Sequence, residues 1–181
     1  GTVAGHSSGA DTLAAAGATL ALTSTVLSSL EVLAAGYSGG TTFTLDAADL
    51  ASGGTVAGHA SGADTLMAAG ATLALTSTTL SSLEMLAAGY SGGTTFSLDA
   101  ADLASGGTVA GHSSGADTLA AAGNSLDLSS TVLSSLEVLA AGYSAGTRFT
   151  VDAADLASGG TVAGHASGTD TLVAAGATLT L

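Results

Sequence analysis

The sequence contains no cysteine, no proline and no tryptophan, and Arg148 is its single basic residue. The lack of cysteine excludes a disulfide framework and a thiolate metal site. One basic residue against fourteen acidic ones gives a formal net charge of -13. A chain of this kind has no positive surface with which to bind phosphates, so nucleic acid and anionic membrane surfaces are excluded as partners. Cations remain candidate ligands.

The chain also lacks the features of a disordered or a membrane-spanning protein. Only 8% of the residues are charged and 46% are hydrophobic, whereas disordered chains combine high charge with low hydrophobicity. The longest uncharged run, residues 12–30, is long enough to cross a bilayer. Its Thr, Ser and Gly content is wrong for a transmembrane helix, which needs mostly apolar residues. We therefore expect a folded protein with no membrane insertion.

One 53-residue unit fills the chain: it begins at Gly1 and is restated at Gly54, Gly107 and Gly160. The first two copies differ at five positions. Near-identical copies with a period of about 50 residues predict a stacked array rather than separate domains. We interpret residues 1–181 as one continuous solenoid, and its predicted units are 1–53, 54–106, 107–159 and a partial unit, 160–181.

Within the unit, short blocks such as 19–22 and 41–45 alternate apolar and polar residues between Gly and Ser, which predicts short strands. The stretch 27–35 also fits one or two helical turns. Sliding the sequence along itself until Leu20 falls on Phe43 also places Leu22 on Leu45. This weaker repeat predicts two unequal coils per unit, of roughly 23 and roughly 30 residues. The additional residues of the longer coil are expected to lie in the segment around residues 5–16, which should bulge out from the coil.

Coils of this length with several short strands each are typical of a parallel β-solenoid, in which equivalent strands stack about 4.8 Å apart. The predicted fold is therefore all-β, a parallel β-solenoid (β-helix) of about seven coils, two per 53-residue repeat. The predicted inward side chains are Leu20, Leu22, Leu27, Leu30, Leu33, Phe43, Leu45, Leu50, Val56 and Leu66.

The segment GHSSGADTL, residues 5–13, contains a possible calcium motif. Its tail, Gly9-x-Asp11-x-Leu13, matches the second half of the calcium-binding nonapeptide. With its DTL, TLxL and LSSLExL blocks and TTFTLDAADL, the chain resembles the repeat regions of bacterial secreted surface proteins: haemolysin-type (RTX), surface-layer and adhesin arrays. The resemblance implies an extracellular or cell-surface location in a bacterium, and it implies calcium at Asp11, Asp64, Asp117 and Asp170.

This segment departs from the calcium motif in two ways. His6 and Ser7 stand where the motif has its first two glycines, and the motif occurs once per unit instead of in tandem. Calcium takes six to eight oxygen ligands, which Asp11 and nearby carbonyls do not obviously supply. The alternative is that Asp11 turns the chain by accepting hydrogen bonds from its own backbone.

The LDAADL segment supplies a second set of acidic residues. Each copy of the segment contains two aspartates that are three positions apart. A pair could bind a cation or perform acid–base chemistry, but three identical copies do not make the singular pocket that catalysis needs. A turn or helix N-cap is the alternative. The pairs are Asp46 and Asp49, Asp99 and Asp102, and Asp152 and Asp155.

Histidine, tyrosine and threonine complete the candidates. On the two-coil interpretation the four histidines form a column about 10 Å apart, too far to share one metal ion; they are His6, His59, His112 and His165. Tyr37 and its copies Tyr90 and Tyr143 are candidates for contact between rods or with glycans, or for packing. A Thr42-Phe43-Thr44 ladder suggests ice binding, which Leu20 and Ala21 in the alternate coil disfavour.

From these features we expect a structural protein and not an enzyme. The expected role is a segment of a cell-surface or matrix filament or adhesin stalk that stacks end to end, as a piece of a longer array. The alternative is a calcium- or carbohydrate-binding surface module. Self-association is the expected partnership, and no cofactor other than calcium is expected.

Overall fold

A computed structural model of the chain describes residues 1–50, 53–103, 106–156 and 159–179. These residues form twenty short strands and no helix, so none of them forms a helix that could span a membrane. Every strand pairing among them is parallel. The prediction of a parallel β-solenoid with about seven turns is confirmed. The helical interpretation of residues 27–35 is wrong, because two strands cover most of the stretch and Ser29 turns the chain between them with a left-handed φ of 50°.

The strands are three or four residues long and end at Gly- and Ser-containing corners. In chain order, β1 to β20 are Thr2–Ala4, Thr12–Ala15, Thr19–Ala21, Val26–Ser28, Val32–Ala35, Thr42–Leu45, Gly54–Ala57, Thr65–Ala68, Thr72–Ala74, Thr78–Ser81, Met85–Ala88, Thr95–Leu98, Gly107–Ala110, Thr118–Ala121, Ser125–Asp127, Thr131–Ser134, Val138–Ala141, Arg148–Val151, Thr161–Ala163 and Thr171–Ala174.

The coil has three faces. Strands β1, β2 and β3 lie in three different sheets, and β4, β5 and β6 pair with them in the same order. A loop then follows β6. We call residues 46–50, with copies 99–103 and 152–156, the DAADL loop. Leu50 of this loop lines a small cavity with Leu27 of β4, so the loop stacks on β4 in the position of a strand.

Because the DAADL loop takes a strand's place, each 53-residue unit supplies seven segments, six strands and one loop, to three faces. Seven segments make two and one third turns, so each copy starts one face further around the axis than the copy before it. The sheet order β3-β6-β8-β11-β13-β16 shows the result: one face collects all six kinds of strand in succession.

The strand registers correct the predicted division into coils. Along that face Thr19 pairs with Thr42, Thr42 pairs with Thr65, and Thr65 pairs with Met85. The two residues of a pair are 23 positions apart in the first two pairs and 20 positions apart in the third. Hydrogen bonds between coils show the same two offsets, 23 from Thr41 to Asp64 and 20 from Asp64 to Glu84. The described strands contain no 30-residue coil, and residues 5–11 form an ordinary corner between β1 and β2. The two-coil division is wrong because it assumes a whole number of turns per unit.

Side chains that point inward form continuous apolar columns. On the same face the column passes through the register partners Leu20 and Phe43, then Leu66, Leu86 and Val109. Of the ten predicted inward residues, seven are buried and Leu20, Leu27 and Leu30 are half-buried. Phe43, Phe96 and Phe149 are among the largest fully buried side chains, and burying each contributes roughly 1.5–3 kcal/mol.

Candidate functional site

The aspartate of the GADTL corner is an interior hydrogen-bond acceptor that joins successive coils. Asp64 is fully buried. Its Oδ1 accepts the Thr41 N–H from the coil below at 2.6 Å, and its Oδ2 accepts the His59 N–H from its own corner at 2.7 Å. Its own N–H donates to Glu84 Oε2 in the coil above at 2.7 Å.

Thr41 extends this connection downward by one more coil, because its hydroxyl donates to the Gly17 carbonyl at 3.2 Å. We call Thr41, Asp64 and Glu84 the polar clip. The second copy of the clip has the same bonds: Asp117 accepts from Thr94 and His112 and donates to Glu137. The polar clip therefore supplies hydrogen bonds between coils where the chain turns a corner and the strand ladder is interrupted.

The two outer copies of this aspartate are partly connected. Asp11 accepts from the His6 N–H and donates its N–H to Glu31. Asp170 accepts from Thr147 and His165. Both arrangements fit the interpretation in which the aspartate orders its own turn, and both carboxylate oxygens of Asp64, Asp117 and Asp170 hold backbone N–H groups.

The structure does not gather the predicted calcium ligands into clusters. Within the described ranges, no group of three or more His, Asp or Glu side chains is placed to hold a metal ion. Asp64 has one acidic neighbour in its clip, Glu84, and that glutamate contacts the Asp64 backbone N–H. Calcium at Asp11, Asp64, Asp117 and Asp170, which the resemblance implies, stays a prediction, and so does a cation at the LDAADL pairs.

In the DAADL loop the two aspartates cap one another's turn. Asp46 Oδ1 accepts the Ala48 N–H at 2.8 Å, and Asp49 Oδ2 accepts the Asp46 N–H at 2.9 Å. This reciprocal pattern is that of a capping box around a single turn. Its copies pair Asp99 with Asp102 and Asp152 with Asp155, so the N-cap alternative describes their geometry.

The second aspartate of each loop is more unusual than the first. Asp49, Asp102 and Asp155 are buried, and in each of them Oδ1 has no hydrogen-bond partner. Burial raises the pKa of the Asp102 carboxyl to about 7 and that of Asp155 to about 6, against an opposing hydrogen bond from the backbone of the loop. Burial also raises the pKa of Asp49.

Each histidine orders its own corner. His59 Nδ1 accepts the Ser61 N–H at 3.1 Å, and the same bond recurs at the other three copies. Tyr37 lies close to the backbone of Gly39 at a neighbouring corner, and about two fifths of its surface is exposed. Tyr90 is placed in the same way against Gly92.

Copies of these residues do not form columns along the rod. The corner with His6 leads into β2, and its copies lead into β8, β14 and β20, which belong to four different sheets. The predicted histidine column is therefore wrong. The one-third turn per unit places successive copies on successive faces of the rod.

One participant was missed at the sequence level. Glu31, Glu84 and Glu137 are exposed, and each accepts an N–H from the aspartate 20 residues before it, a hydrogen bond between coils that was not predicted. That spacing equals the short register between Thr12 and Val32. A search for polar pairs separated by one coil length would have found the contact.

Comparisons with known proteins place the chain in no group: it matches no family of known proteins, no curated protein and no solved structure.

Proposed function

We propose that this chain is a structural rod, a segment of an extracellular or cell-surface filament whose copies stack end to end. The observation that supports it most is the uniform contact between coils. Parallel strand ladders and apolar columns recur in every unit, and the polar clip is complete at Asp64 and Asp117 and partial at Asp11 and Asp170. Stacking of coils requires the same contacts in every unit, whereas a catalytic site requires one pocket that differs from the repeated surface.

The cavities of the described residues agree with this role. Three of them are about 10–20 Å³, close to the volume of one water molecule, and each lies at a DAADL loop. A larger one, about 530 Å³, is a groove at one end of the described solenoid, where the partly exposed Leu156, Val162 and Leu172 line the space beside the buried Phe149. The terminal coil of a solenoid exposes apolar side chains and unpaired strand edges. Another coil can pack and pair on such a surface.

The test compares self-association of the chain with that of two variants that each add one carboxylate. Val162→Asp places it in the end groove, and Val132→Asp places it on the side of the rod, where Val132 is 61% exposed. Sedimentation velocity over a concentration series and negative-stain images report the assembly. The proposal predicts filaments for the chain and for Val132→Asp, and short particles for Val162→Asp.

Equal assembly by both variants, or single particles at every concentration, would contradict end-to-end stacking. Since three units bring the surface back to the same face after seven coils, the filament surface should repeat at roughly 34 Å, from a coil spacing of about 4.8 Å. The same series with calcium and with a chelator tests the alternative role: a calcium-binding module melts at a much higher temperature with calcium, and a rod without calcium sites does not.

A further inference from the structure

Three copies of one buried acid each have a carboxyl oxygen without a hydrogen bond, a condition that among the described residues is shared only by the buried hydroxyls of Thr78 and Thr131. The side chains of Asp49, Asp102 and Asp155 are 7%, 8% and 6% exposed. In every copy Oδ2 accepts the N–H of the aspartate three residues earlier, and Oδ1 is buried with no partner. A buried oxygen without a hydrogen bond is costly, and more so when it carries charge.

Leucine side chains form a large part of the surroundings of these carboxyls. Asp102 lines a cavity of about 10 Å³ together with Leu80, Leu83, Leu86 and Leu103. Leu80 belongs to β10, so the carboxyl lies at the place where the DAADL loop stacks on a strand. Asp49 and Asp155 occupy equivalent cavities beside Leu27 of β4 and Leu133 of β16.

The ionisable groups that face these carboxyls are all acidic. From the loop itself they are Asp46, Asp99 and Asp152, one for each copy. From the coil below, a glutamate lines each cavity: Glu31, Glu84 and Glu137. Asp127 acts on Asp155 in addition. No cationic side chain among the described residues acts on these carboxyls to compensate a negative charge.

We propose that the three buried carboxyls make the solenoid proton-sensitive, so that mild acid tightens the DAADL loop against the strand beneath it and neutral pH loosens it. When neutral, the carboxyl keeps one oxygen as acceptor for the loop N–H and carries no uncompensated charge. When ionised, it must draw water into the apolar cavity or move the loop outward. On each face the DAADL loop occupies a position where a strand is missing. The loop therefore separates two stretches of continuous sheet.

The sign of the pH dependence follows from proton linkage. Burial raises the pKa of these carboxyls in the folded state above the ordinary value of 3.8, to about 7 for Asp102 and about 6 for Asp155. The folded state therefore binds more protons than the unfolded state between about pH 4 and pH 7, and stability falls as the pH rises through that range.

The experiment measures melting temperature between pH 5 and pH 8 in high salt, which screens the net charge. The chain is compared with the variant D49N/D102N/D155N and with D127N, which removes an exposed charge that acts on Asp155 alone and leaves the surroundings of Asp49 and Asp102 unchanged. Asparagine imitates the neutral acid and keeps an oxygen for the loop N–H. We expect the chain and D127N to lose about 5 °C or more at pH 8, and the triple variant to lose less than half as much.

An equal loss in the triple variant would overturn the proposal. If the triple variant does not fold, carbon-13 NMR of the aspartate carboxyls in the unmodified chain decides instead. At least two carboxyls that titrate above pH 5, as expected for Asp102 and Asp155, support the proposal, and fewer than two overturn it. This test is independent of filament assembly, because a protein that stays monomeric still has a melting temperature and carboxyl resonances.

Discussion

Asp64 connects three coils through hydrogen bonds that no other side-chain type could make. Two backbone N–H groups converge on its two oxygens, from Thr41 and from His59. Only a carboxylate offers two acceptors at that spacing in a buried place, since an amide has one acceptor and one donor. The repetition of aspartate at this corner is explained by folding, whether or not a cation also binds.

Replacing Asp64 with Asn should therefore destabilise the protein. The new amide NH₂ group would face either the Thr41 or the His59 N–H, and that buried donor would lose its partner. We expect a loss of about 1–3 kcal/mol in the free energy of unfolding, measured by urea denaturation.

D127N serves as the matched control, because Asp127 is exposed and bonds only to Ser129. Its effect should stay within about 0.5 kcal/mol. If D64N and D127N unfold at the same urea concentration, the polar clip contributes nothing to stability.

At the scale of the elements, the corners impose close backbone contacts between neighbouring coils. Strand β7 ends at Ala57 and β10, its partner, ends at Ser81. Ser82 then turns with a φ of 50°, in the left-handed region that few residues other than glycine adopt. A Cβ at Gly58 would overlap the Ser82 carbonyl oxygen, so this corner needs glycine for lack of space.

Gly58→Ala should consequently be much more harmful than Gly70→Ala, although both glycines lie in the same unit. A Cβ at Gly70 would meet nothing within 4 Å. We expect Gly58→Ala to cost about 1–3 kcal/mol or more through overpacking, and Gly70→Ala to change stability by less than about 1 kcal/mol.

Thermal melts followed by far-ultraviolet circular dichroism provide the comparison. Similar melting temperatures for the two alanine variants would show that the corner can relax, and the close approach of Gly58 and Ser82 would then not constrain the coil. A large effect at Gly70 alone would contradict the described arrangement of both corners.

At the scale of the whole molecule, the one-third turn per unit distributes every surface feature evenly around the rod. A partner that approaches from one side meets Tyr37, Tyr90 and Tyr143 singly, since they follow strands of three different sheets. This geometry disfavours a flat ligand such as an ice lattice, which needs one kind of residue repeated along one face. It suits a rod that presents the same surface in all directions.

Deleting one whole unit, residues 54–106, should leave a folded and shorter solenoid. The deletion joins two equivalent positions, so the number of residues between successive segments is unchanged at the junction. The part of the chain after the junction is rotated by one third of a turn about the rod axis. We expect the same circular dichroism per residue and a lower melting temperature, because repeat proteins lose stability with each unit removed.

The prediction is contradicted if the shortened chain loses most of its strand signal per residue or aggregates. Joining two equivalent positions would then not be enough to restore the stacking of inward residues across the junction.

Much of this architecture could be predicted from the sequence. Alternation within short blocks predicted the strands, and the match of Leu20 with Phe43 and Leu22 with Leu45 predicted both the commonest stacking offset and the buried columns. The same local logic predicted the capping role of Asp46. These features depend on residues near in sequence, or one coil apart, and a periodic pattern records such contacts directly.

The number of turns per unit was decided only in the tertiary structure. The 53-residue period sets how often a residue type returns, whereas the turn count depends on how many segments occupy the three faces. The DAADL loop counts as one segment because it stacks on β4 through Leu50 and Leu27, a contact between distant residues. That single contact rotates every later copy by one face, and it buries Asp49, whose partnerless oxygen no pattern in the sequence could show.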